Sequence, residues 1–213
     1  MSRDRGETWR FIRNLPLAQF YHINYDMDKP YNIYGGMQDN GSWRGPSQVY
    51  NVQGIQNGYW QELSFGDGFD VIPDRTDSRY GFTMSQQGNV MRYDIETGHS
   101  KFVQPVHPDG DDLRFNWNAA IATDPFDAKG VYFGSQYVHK SRDRGDTWTI
   151  ISPDLTTNDS TKQKSMESGG LTFDATGAEN YTTILAIAPS TLNKDIIWVG
   201  TDDGNLQLTT DGG

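Results

Sequence analysis

Ser2-Arg3-Asp4-Arg5-Gly6-Glu7-Thr8-Trp9, closely repeated as Ser141-Arg142-Asp143-Arg144-Gly145-Asp146-Thr147-Trp148, is the stretch that decides the fold of this chain. We call the two copies box 1 and box 2. In each, the aspartate can accept hydrogen bonds from backbone N–H groups of its own turn, and the glycine can take the positive φ that the turn requires. The serine and threonine hydroxyls can tie the arms of a hairpin together, and the tryptophan offers a large apolar surface to bury between sheets. The boxes therefore predict turns that serve folding, and their repetition argues against a catalytic role.

A partial third box lies at Thr209-Thr210-Asp211-Gly212-Gly213. The residues assigned to this turn chemistry are Ser2, Asp4, Gly6, Thr8, Trp9, Ser141, Asp143, Gly145, Thr147, Trp148 and Asp211.

Between the boxes, four segments share one pattern. Each has an apolar strand, a turn, and a second strand with an aromatic anchor and a glycine, and the anchors are Tyr34, Tyr80, Tyr132 and Trp198. A third strand with alternating apolar and polar residues follows in at least three of them, and no apolar period of 3.6 residues persists for three turns. The pattern predicts an all-β chain of about four four-stranded antiparallel β-propeller blades.

The phase of the repeats sets the expected boundaries within one propeller segment, 1–213. Residues 1–15 hold the last strand of a preceding blade, 18–65, 69–105 and 115–155 are blades, and 180–213 is an incomplete blade. We expect this segment to be part of a larger propeller. The alternative is a four-bladed ring in which Trp9 to Arg13 completes the final blade.

Composition excludes several classes of function. The net charge of −10 argues against a nucleic-acid partner, because phosphate binding needs a basic patch. The chain has no cysteine, and no stretch approaches the roughly 20 apolar residues of a membrane helix, so we expect no membrane insertion. The four histidines are scattered singly, and Asp109-Gly110-Asp111-Asp112 lacks the full spacing of a helix-loop calcium site. We therefore predict neither a cofactor nor a metal, and the oligomeric state stays open.

Three loop regions are candidate binding sites, because propellers bind ligands where loops from several blades converge. Trp43 and Arg44 follow an Asn-Gly turn and could stack on and hydrogen-bond a sugar ring, although the turn itself is an ordinary hairpin signal. Tyr59 and Trp60 lie in a long Gly/aromatic connection, where Trp60 could instead be the wedge of a degenerate box. Asn116, Trp117 and Asn118 form either a carbohydrate platform or a turn that satisfies its own backbone.

Acidic residues in the same regions are the candidate catalytic groups. Glycosidases need two carboxyl groups roughly 5–5.5 or 6.5–9.5 Å apart. The residues available for such a pair are Asp39, Glu62, Asp67, Asp70 and Asp203.

The boxes and four further motifs resemble the BNR, or Asp-box, repeat proteins of bacteria. The motifs are Gly35-Gly-Met-Gln-Asp-Asn-Gly-Ser42, Phe115-Asn-Trp-Asn118, Trp148-Thr-Ile-Ile-Ser-Pro-Asp-Leu155 and Trp198-Val-Gly-Thr-Asp-Asp-Gly204. This family is similar to the sortilin N-terminal propeller and to YVTN/BNR-like proteins, and its members are commonly labelled glycosyl hydrolases. The resemblance implies a long exported protein of which this chain is an internal piece, with a secreted, periplasmic or cell-surface location. The hydrolase label transfers weakly, because fold does not imply function.

Two functions remain open at this level, with a third more distant. The first is a module that presents loops for binding a polysaccharide or a protein. The alternative is a glycoside hydrolase of the xyloglucanase-like propeller type that uses a pair of the carboxylates; the sialidase resemblance is limited to the boxes, since no Arg-Ile-Pro segment is present. The distant option is an assembly factor, because another Asp-box family resembles photosystem assembly proteins.

Overall fold

A computed structural model of the chain describes residues 1–10, 18–163 and 180–213. These residues form fifteen strands in four antiparallel sheets, with three single 3-10 turns (Asn57–Tyr59, Gln86–Gly88 and Ser160–Lys162) and no α-helix in the described ranges. The sheets are arranged as the four blades of a β-propeller, which confirms the predicted fold class.

Each blade is built from consecutive strands that pair with their neighbours in sequence. Blade 1 contains β1 (Ile23–Tyr25), β2 (Asn32–Met37), β3 (Gly41–Pro46) and β4 (Gln61–Ser64). Blade 2 contains β5 (Val71–Pro73), β6 (Tyr80–Ser85), β7 (Asn89–Asp94) and β8 (Ser100–Phe102). Blade 3 contains β9 (Ile121–Thr123), β10 (Val131–Gly134), β11 (Val138–Ser141) and β12 (Thr149–Ile150). Blade 4 contains β13 (Ile184–Pro189), β14 (Ile197–Thr201) and β15 (Leu206–Thr209).

The core lies between blades because successive side chains of a strand point to opposite faces of its sheet. In β10, Val131 and Phe133 pack in the cluster shared with blade 2, whereas Tyr132 packs in the cluster shared with blade 4. Tyr132 also donates a hydrogen bond to Asp124, 3.0 Å away, just after β9. Tyr34 and Asp26 repeat this contact in blade 1, so each hydroxyl keeps a partner although both rings are buried.

The register corrects one sequence anchor. Tyr34 pairs with Asn24 and Tyr132 with Ala122, and the same position of blade 2 is Phe82, which pairs with Ile72. Tyr80, the predicted anchor, was the wrong choice: it lies two residues earlier, and the guanidinium groups of Arg79 and Arg144 lie over its ring. The prediction matched an aromatic followed by glycine, but the pairing of the pleated strands decides which residue enters the core.

Residues 1–10 contain box 1 and no strand. The last strand predicted in 1–15 falls in part on residues 11–15, which lie outside the described residues.

Candidate functional site

The inner strands β1, β5, β9 and β13 surround the propeller axis, and a cluster of polar side chains lies where they begin. His22 immediately precedes β1, Asp70 immediately precedes β5, and Asn118 lies in the loop that leads into β9. We call these three residues, together with Asn24 of β1, the axial cluster. They come from three blades, and the propeller fold is what brings them together.

Hydrogen bonds join the axial cluster across the axis. The Nδ2 atom of Asn24 donates to Asp70 Oδ1 (3.3 Å) and to the carbonyl of Val71 (3.0 Å). His22 Nε2 lies 2.9 Å from Asn118 Nδ2, and its Nδ1 lies 3.9 Å from Asp70 Oδ1. His22 is therefore held between an amide on one side and a carboxyl group on the other.

A cavity of about 350 Å³ runs along the axis from this cluster. Residues next to or within all four inner strands line it: Asn24, Asp70, Ile72, Arg75, Ile121, Ala122, Thr123, Pro125, Pro189 and Thr191. Asp70 is the single carboxylate among them. The cavity thus offers one carboxyl group, one amide, the guanidinium of Arg75 and two threonine hydroxyls among apolar side chains.

Burial raises the pKa of Asp70 above its ordinary value, while the neighbouring His22 and the hydrogen bond from Asn24 partly oppose the shift. Because burial removes water from this carboxyl group, its ionisation is unfavourable. A ligand that donates hydrogen bonds to the carboxylate would stabilise the ionised form.

Aromatic rings flank the axial cluster. The Tyr21 ring lies 4.7 Å from that of Phe69, and Phe69 makes an edge contact with Trp117 at 6.1 Å. Tyr21 is 43% exposed and adjoins His22, and it borders a second cavity of about 380 Å³ beside the β2–β3 turn. Trp117, which adjoins Asn118, is partly buried against the core.

Asp39 and Asp67 lie at the same end of the propeller as the axial cluster, but their hydrogen bonds hold a turn together. Asp39 is at the tip of the β2–β3 turn with a positive φ of 58°, and its N–H donates to Asp67 Oδ1 at 2.8 Å. Asp67 is 7% exposed, and its own N–H donates to Gln86 Oε1 at 3.3 Å. The pair connects the turn of blade 1 to blade 2, and neither residue lines the axial cavity.

The Asn116 amide connects blades 3 and 4. Its Nδ2 donates to Thr183 Oγ1 (3.0 Å) and to Asp202 Oδ2 (3.1 Å), and its Oδ1 accepts from the N–H of Asn118 (3.0 Å). Asn116 therefore supports the loop that carries Asn118. Asp203 caps a neighbouring turn: burial opposes the shift, but hydrogen bonds from Thr201 and Thr157 lower its pKa.

Five of the remaining candidates lie in the outer half of blade 1, away from the axial cluster. Trp43 and Arg44 are successive residues of β3, and the Arg44 guanidinium lies over the Tyr34 ring at 5.8 Å. Tyr59 accepts a hydrogen bond from Asn51 at 3.1 Å and is 41% exposed. Trp60 packs on Gly45, where an added Cβ would lie 2.5 Å from the indole. It immediately precedes β4 just as Trp148 precedes β12, the wedge position that the sequence offered as an alternative. Glu62 lies exposed in β4.

Box 2 and the partial third box lie at the other end of the blades, where antiparallel topology places the turn that follows the third strand. In box 2, Asp143 accepts from the Thr147 N–H (2.8 Å) and hydroxyl (2.6 Å), and Ser141 donates to Asp143 at 2.8 Å. Burial is the largest single contribution and acts to raise the pKa of Asp143, but these hydrogen bonds together lower it to about 2. The carboxylate is thus committed to its own turn.

Sequence reasoning missed His22 and Asn24. A signal was present for His22, which immediately precedes an inner strand as Asp70 does in the next blade, whereas Asn24 lies within β1 at the position that Ile72 has in β5. In the described ranges no group of three or more His, Asp or Glu side chains could hold a metal ion, and no helix there is long and apolar enough to cross a membrane.

Comparisons with known proteins identify a fold and no family. No protein-family model matches the chain, and no curated protein matches it. Among solved structures, a GH74 enzyme of Niastella koreensis is similar over 85% of this chain, with a TM-score of 0.51 and 16% identity. A chain of a mitotic checkpoint complex is similar over 92%, with a TM-score of 0.50 and 12% identity, and the computationally designed Ika4 protein over 93%, with a TM-score of 0.46 and 12% identity.

The share of each matched protein that the likeness covers varies widely. They cover 27% of the GH74 enzyme, 48% of the checkpoint chain and 95% of the designed protein. This chain therefore spans about a quarter of the length of the GH74 enzyme, and at such identities the likeness concerns the fold alone.

Proposed function

We propose that the chain is a propeller binding module whose axial cluster and adjoining aromatic rings bind a carbohydrate. The observation that carries this proposal is the axial cluster. Its carboxyl group, Asp70, is largely buried, lines the axial cavity together with Asn24, and lies beside His22, whose ring contacts the Asn118 amide. Sugar hydroxyls both donate and accept hydrogen bonds, and this set offers both. Tyr21 and Trp117 supply apolar ring faces beside it, as small-ligand sites commonly do.

The count of carboxyl groups favours binding over hydrolysis. Glycoside hydrolysis by the usual acid and base needs two carboxyl groups on either side of the scissile bond. Among the described residues that line the axial cavity, Asp70 is the single carboxylate, and Asp39 and Asp67 are engaged in a turn. If the ligand is a protein, it would bind the surface around the axial cluster and would not enter the cavity.

The test combines binding and turnover on the same preparation. Purified chain is screened on a glycan array, and each glycan that binds is then incubated with the chain and assayed for new reducing ends. We expect binding without release. Asp70→Asn should weaken binding at least about tenfold, because a hydrogen bond to a charged acceptor contributes about 1.5–3 kcal/mol. The control, Glu62→Gln on the outer strand β4, should leave binding unchanged. Equal binding by all three proteins would overturn the axial assignment.

The alternative proposal is a glycoside hydrolase, and one specific observation favours it. Burial raises the pKa of Asp70, as a general acid requires, and the structurally similar Niastella protein is described as a GH74 enzyme. Release of reducing ends that disappears in Asp70→Asn, and also in Asp39→Asn or Asp67→Asn, would establish it and end the proposal of binding alone.

We also propose a family and a location. The proposed family is that of Asp-box repeat propellers similar to the sortilin N-terminal propeller, and what supports it is the hydrogen-bonded turn found with the same contacts at both full boxes. The proposed location is outside the cytoplasm, as part of a longer exported protein, and it rests on the resemblance to that family. Fractionation of cells that produce the protein, followed by immunodetection, tests the location; a purely cytoplasmic signal would contradict it.

A further inference from the structure

The axial cavity has two ends that differ in charge. Its lining follows β5 from Asp70, which immediately precedes the strand, to Arg75, which lies two residues after it. At a rise of about 3.3 Å per residue, residues 70 and 74 are roughly 13 Å apart along the chain. The backbone therefore places a carboxyl group at one end of the cavity and a guanidinium group at the other.

The Arg75 end carries polar groups that have no partner in the protein. Across residues 1–10, 18–163 and 180–213, the exposed guanidinium group of Arg75 has neither an ion pair nor a hydrogen bond. The same end of the cavity includes Thr123, the last residue of β9, and Thr191, two residues after β13. Neither hydroxyl group has a hydrogen-bond partner in those ranges. Blades 2, 3 and 4 thus each contribute one hydrogen-bond donor that is available to a ligand.

Two carboxylates close to this end already have cationic partners. Asp74, which immediately follows β5, has its Oδ2 atom 2.6 Å from Nε of Arg144. Asp124, which immediately follows β9, has its Oδ2 atom 2.8 Å from Nζ of Lys140. The chain has 28 acidic and only 18 basic residues, so an arginine that keeps no carboxylate partner beside a cavity is unusual for it. The two ion pairs explain why Arg75 stays unpaired although aspartates are near in sequence.

A guanidinium group beside free hydroxyl groups is suited to bind an anion. The planar guanidinium presents parallel N–H donors that match the oxygens of a carboxylate, and it stays charged at neutral pH. Threonine hydroxyls can donate to the oxygens that the arginine does not reach. A neutral sugar would use the hydrogen bonds of this end but not its charge.

Asp70 does not prevent an anion from binding at the opposite end. The energy between two charges falls with their distance, so repulsion over roughly 13 Å is small beside attraction at hydrogen-bonding distance from Arg75. The cavity can therefore hold a ligand whose hydroxyl groups face Asp70 and whose negative charge faces Arg75.

We propose that the Arg75 end of the axial cavity binds a negatively charged substituent of a sugar, so that the carbohydrate bound by this chain is an acidic one. This inference rests on the proposed function and names the substrate class of the same cavity. The sugar hydroxyl groups lie toward Asp70 and Asn24, while a carboxylate or a sulfate group contacts Arg75, Thr123 and Thr191.

Two matched pairs of ligands test the inference by isothermal titration calorimetry at pH 7. The first pair is tetragalacturonate and its methyl ester, which differ in the charge of the carboxyl groups, and the second is dextran sulfate and dextran. We expect the charged member of at least one pair to bind the parent chain at least about tenfold more tightly than its uncharged partner. The pair that shows the preference identifies the anionic group as carboxylate or sulfate.

Two variants assign the preference to this end of the cavity. In Arg75→Gln the ratio of the two affinities should fall to near one. Lys129→Gln removes the same charge from an exposed residue of the β9–β10 turn that does not line the cavity, and it should keep the ratio of the parent. Far-UV circular dichroism verifies that both variants are folded.

The outcomes separate this inference from the proposed function. Equal affinity within both pairs, a preference that survives Arg75→Gln, or a glycan array on which only neutral glycans bind would each overturn the inference and leave carbohydrate binding in place. A parent chain that binds none of the four ligands and no glycan on the array would overturn both.

Discussion

Box 1 and box 2 differ at one of eight positions, Glu7 against Asp146, and fold into the same hydrogen-bonded turn. Their surroundings differ completely. Trp148 packs between two blades, whereas Trp9 is 76% exposed. The comparison shows that the motif encodes its turn locally, while what the turn contributes to stability depends on the sheets around it.

The largest difference between the boxes should come from the tryptophans. Trp148→Ala removes an indole from between blades and leaves the Val103 carbonyl without its donor, so we expect a loss of about 3 kcal/mol in the free energy of unfolding. Trp9→Ala should change it by less than about 0.5 kcal/mol, because Trp9 is largely exposed. Urea unfolding followed by circular dichroism gives both values, and similar losses would contradict the comparison.

The aspartates should rank second. Asp143→Ala removes the acceptor of the Thr147 N–H and hydroxyl in a turn joined to the sheet of blade 3, and we expect a loss of about 2 kcal/mol. Asp4→Ala breaks the same bonds in a segment without described contacts to a sheet, so the global unfolding transition should not move. A shift of equal size in both variants would show that box 1 is packed in solution.

The glycines probe the turn geometry with less disturbance. Gly145 has a φ of 86° and Gly6 a φ of 98°, so alanine is strained at either position. At Gly145 the added methyl also meets Val103 at 3.0 Å, while at Gly6 its nearest neighbour is the Trp9 ring at 3.9 Å. We expect Gly145→Ala to lower the thermal unfolding midpoint by a few degrees and Gly6→Ala to leave it in place; the reverse order would refute the packing of box 2.

The smallest effect should appear in acid. The pKa of Asp143 is about 2 in the folded chain, below its ordinary value of 3.8, so its ionised form stabilises the fold. That contribution is complete above pH 4 and is lost as the pH falls toward 2. Between pH 6 and pH 2.5, the free energy of unfolding should therefore decrease less in Asp143→Asn than in the parent. An equal decrease in both would show that the Asp143 carboxylate does not contribute to acid stability.

Asp70 should show the opposite sign. Burial raises the pKa of Asp70 in the folded chain. Above pH 3.8, its ordinary pKa, the unfolded chain therefore ionises more readily, and this lowers the free energy of unfolding. Asp70→Asn should make the chain slightly more stable at pH 7 and equally stable at pH 3, where the carboxyl group is protonated in either state. A destabilised variant at pH 7 would mean that the negative charge is needed for folding and that Asp70 is not a group held ready for a ligand.

Much of the fold could be predicted because its signals are local. Strand alternation and the turn glycines gave the all-β propeller, and the aspartate that follows each inner strand of blades 1 to 3 marks the same turn. The choice of Tyr80 failed where two aromatic residues with the same parity, Tyr80 and Phe82, compete for one core position. Only the pairing with Ile72 separates them.

The site was predictable in part. Asp70 and Asn118 were among the sequence candidates and lie in the axial cluster, while Trp43, Arg44 and Glu62 lie on outer strands. Nothing in a single sequence says which loop residue points toward the axis, because that depends on how four sheets tilt around it. The one local signal for His22 is its position before an inner strand, the position that Asp70 has in blade 2, and its partners are 48 and 96 residues away in sequence.

By itself, the sequence determined the turn of each box, the strands and their order within blades, since these depend on hydrogen bonds and φ angles within a few residues. Only the tertiary structure decided that one box tryptophan packs between sheets and the other is exposed, and that His22 meets Asp70 and Asn118. These outcomes depend on surfaces brought together from distant parts of the chain, and burial, which sets their energies, exists only after the blades have packed.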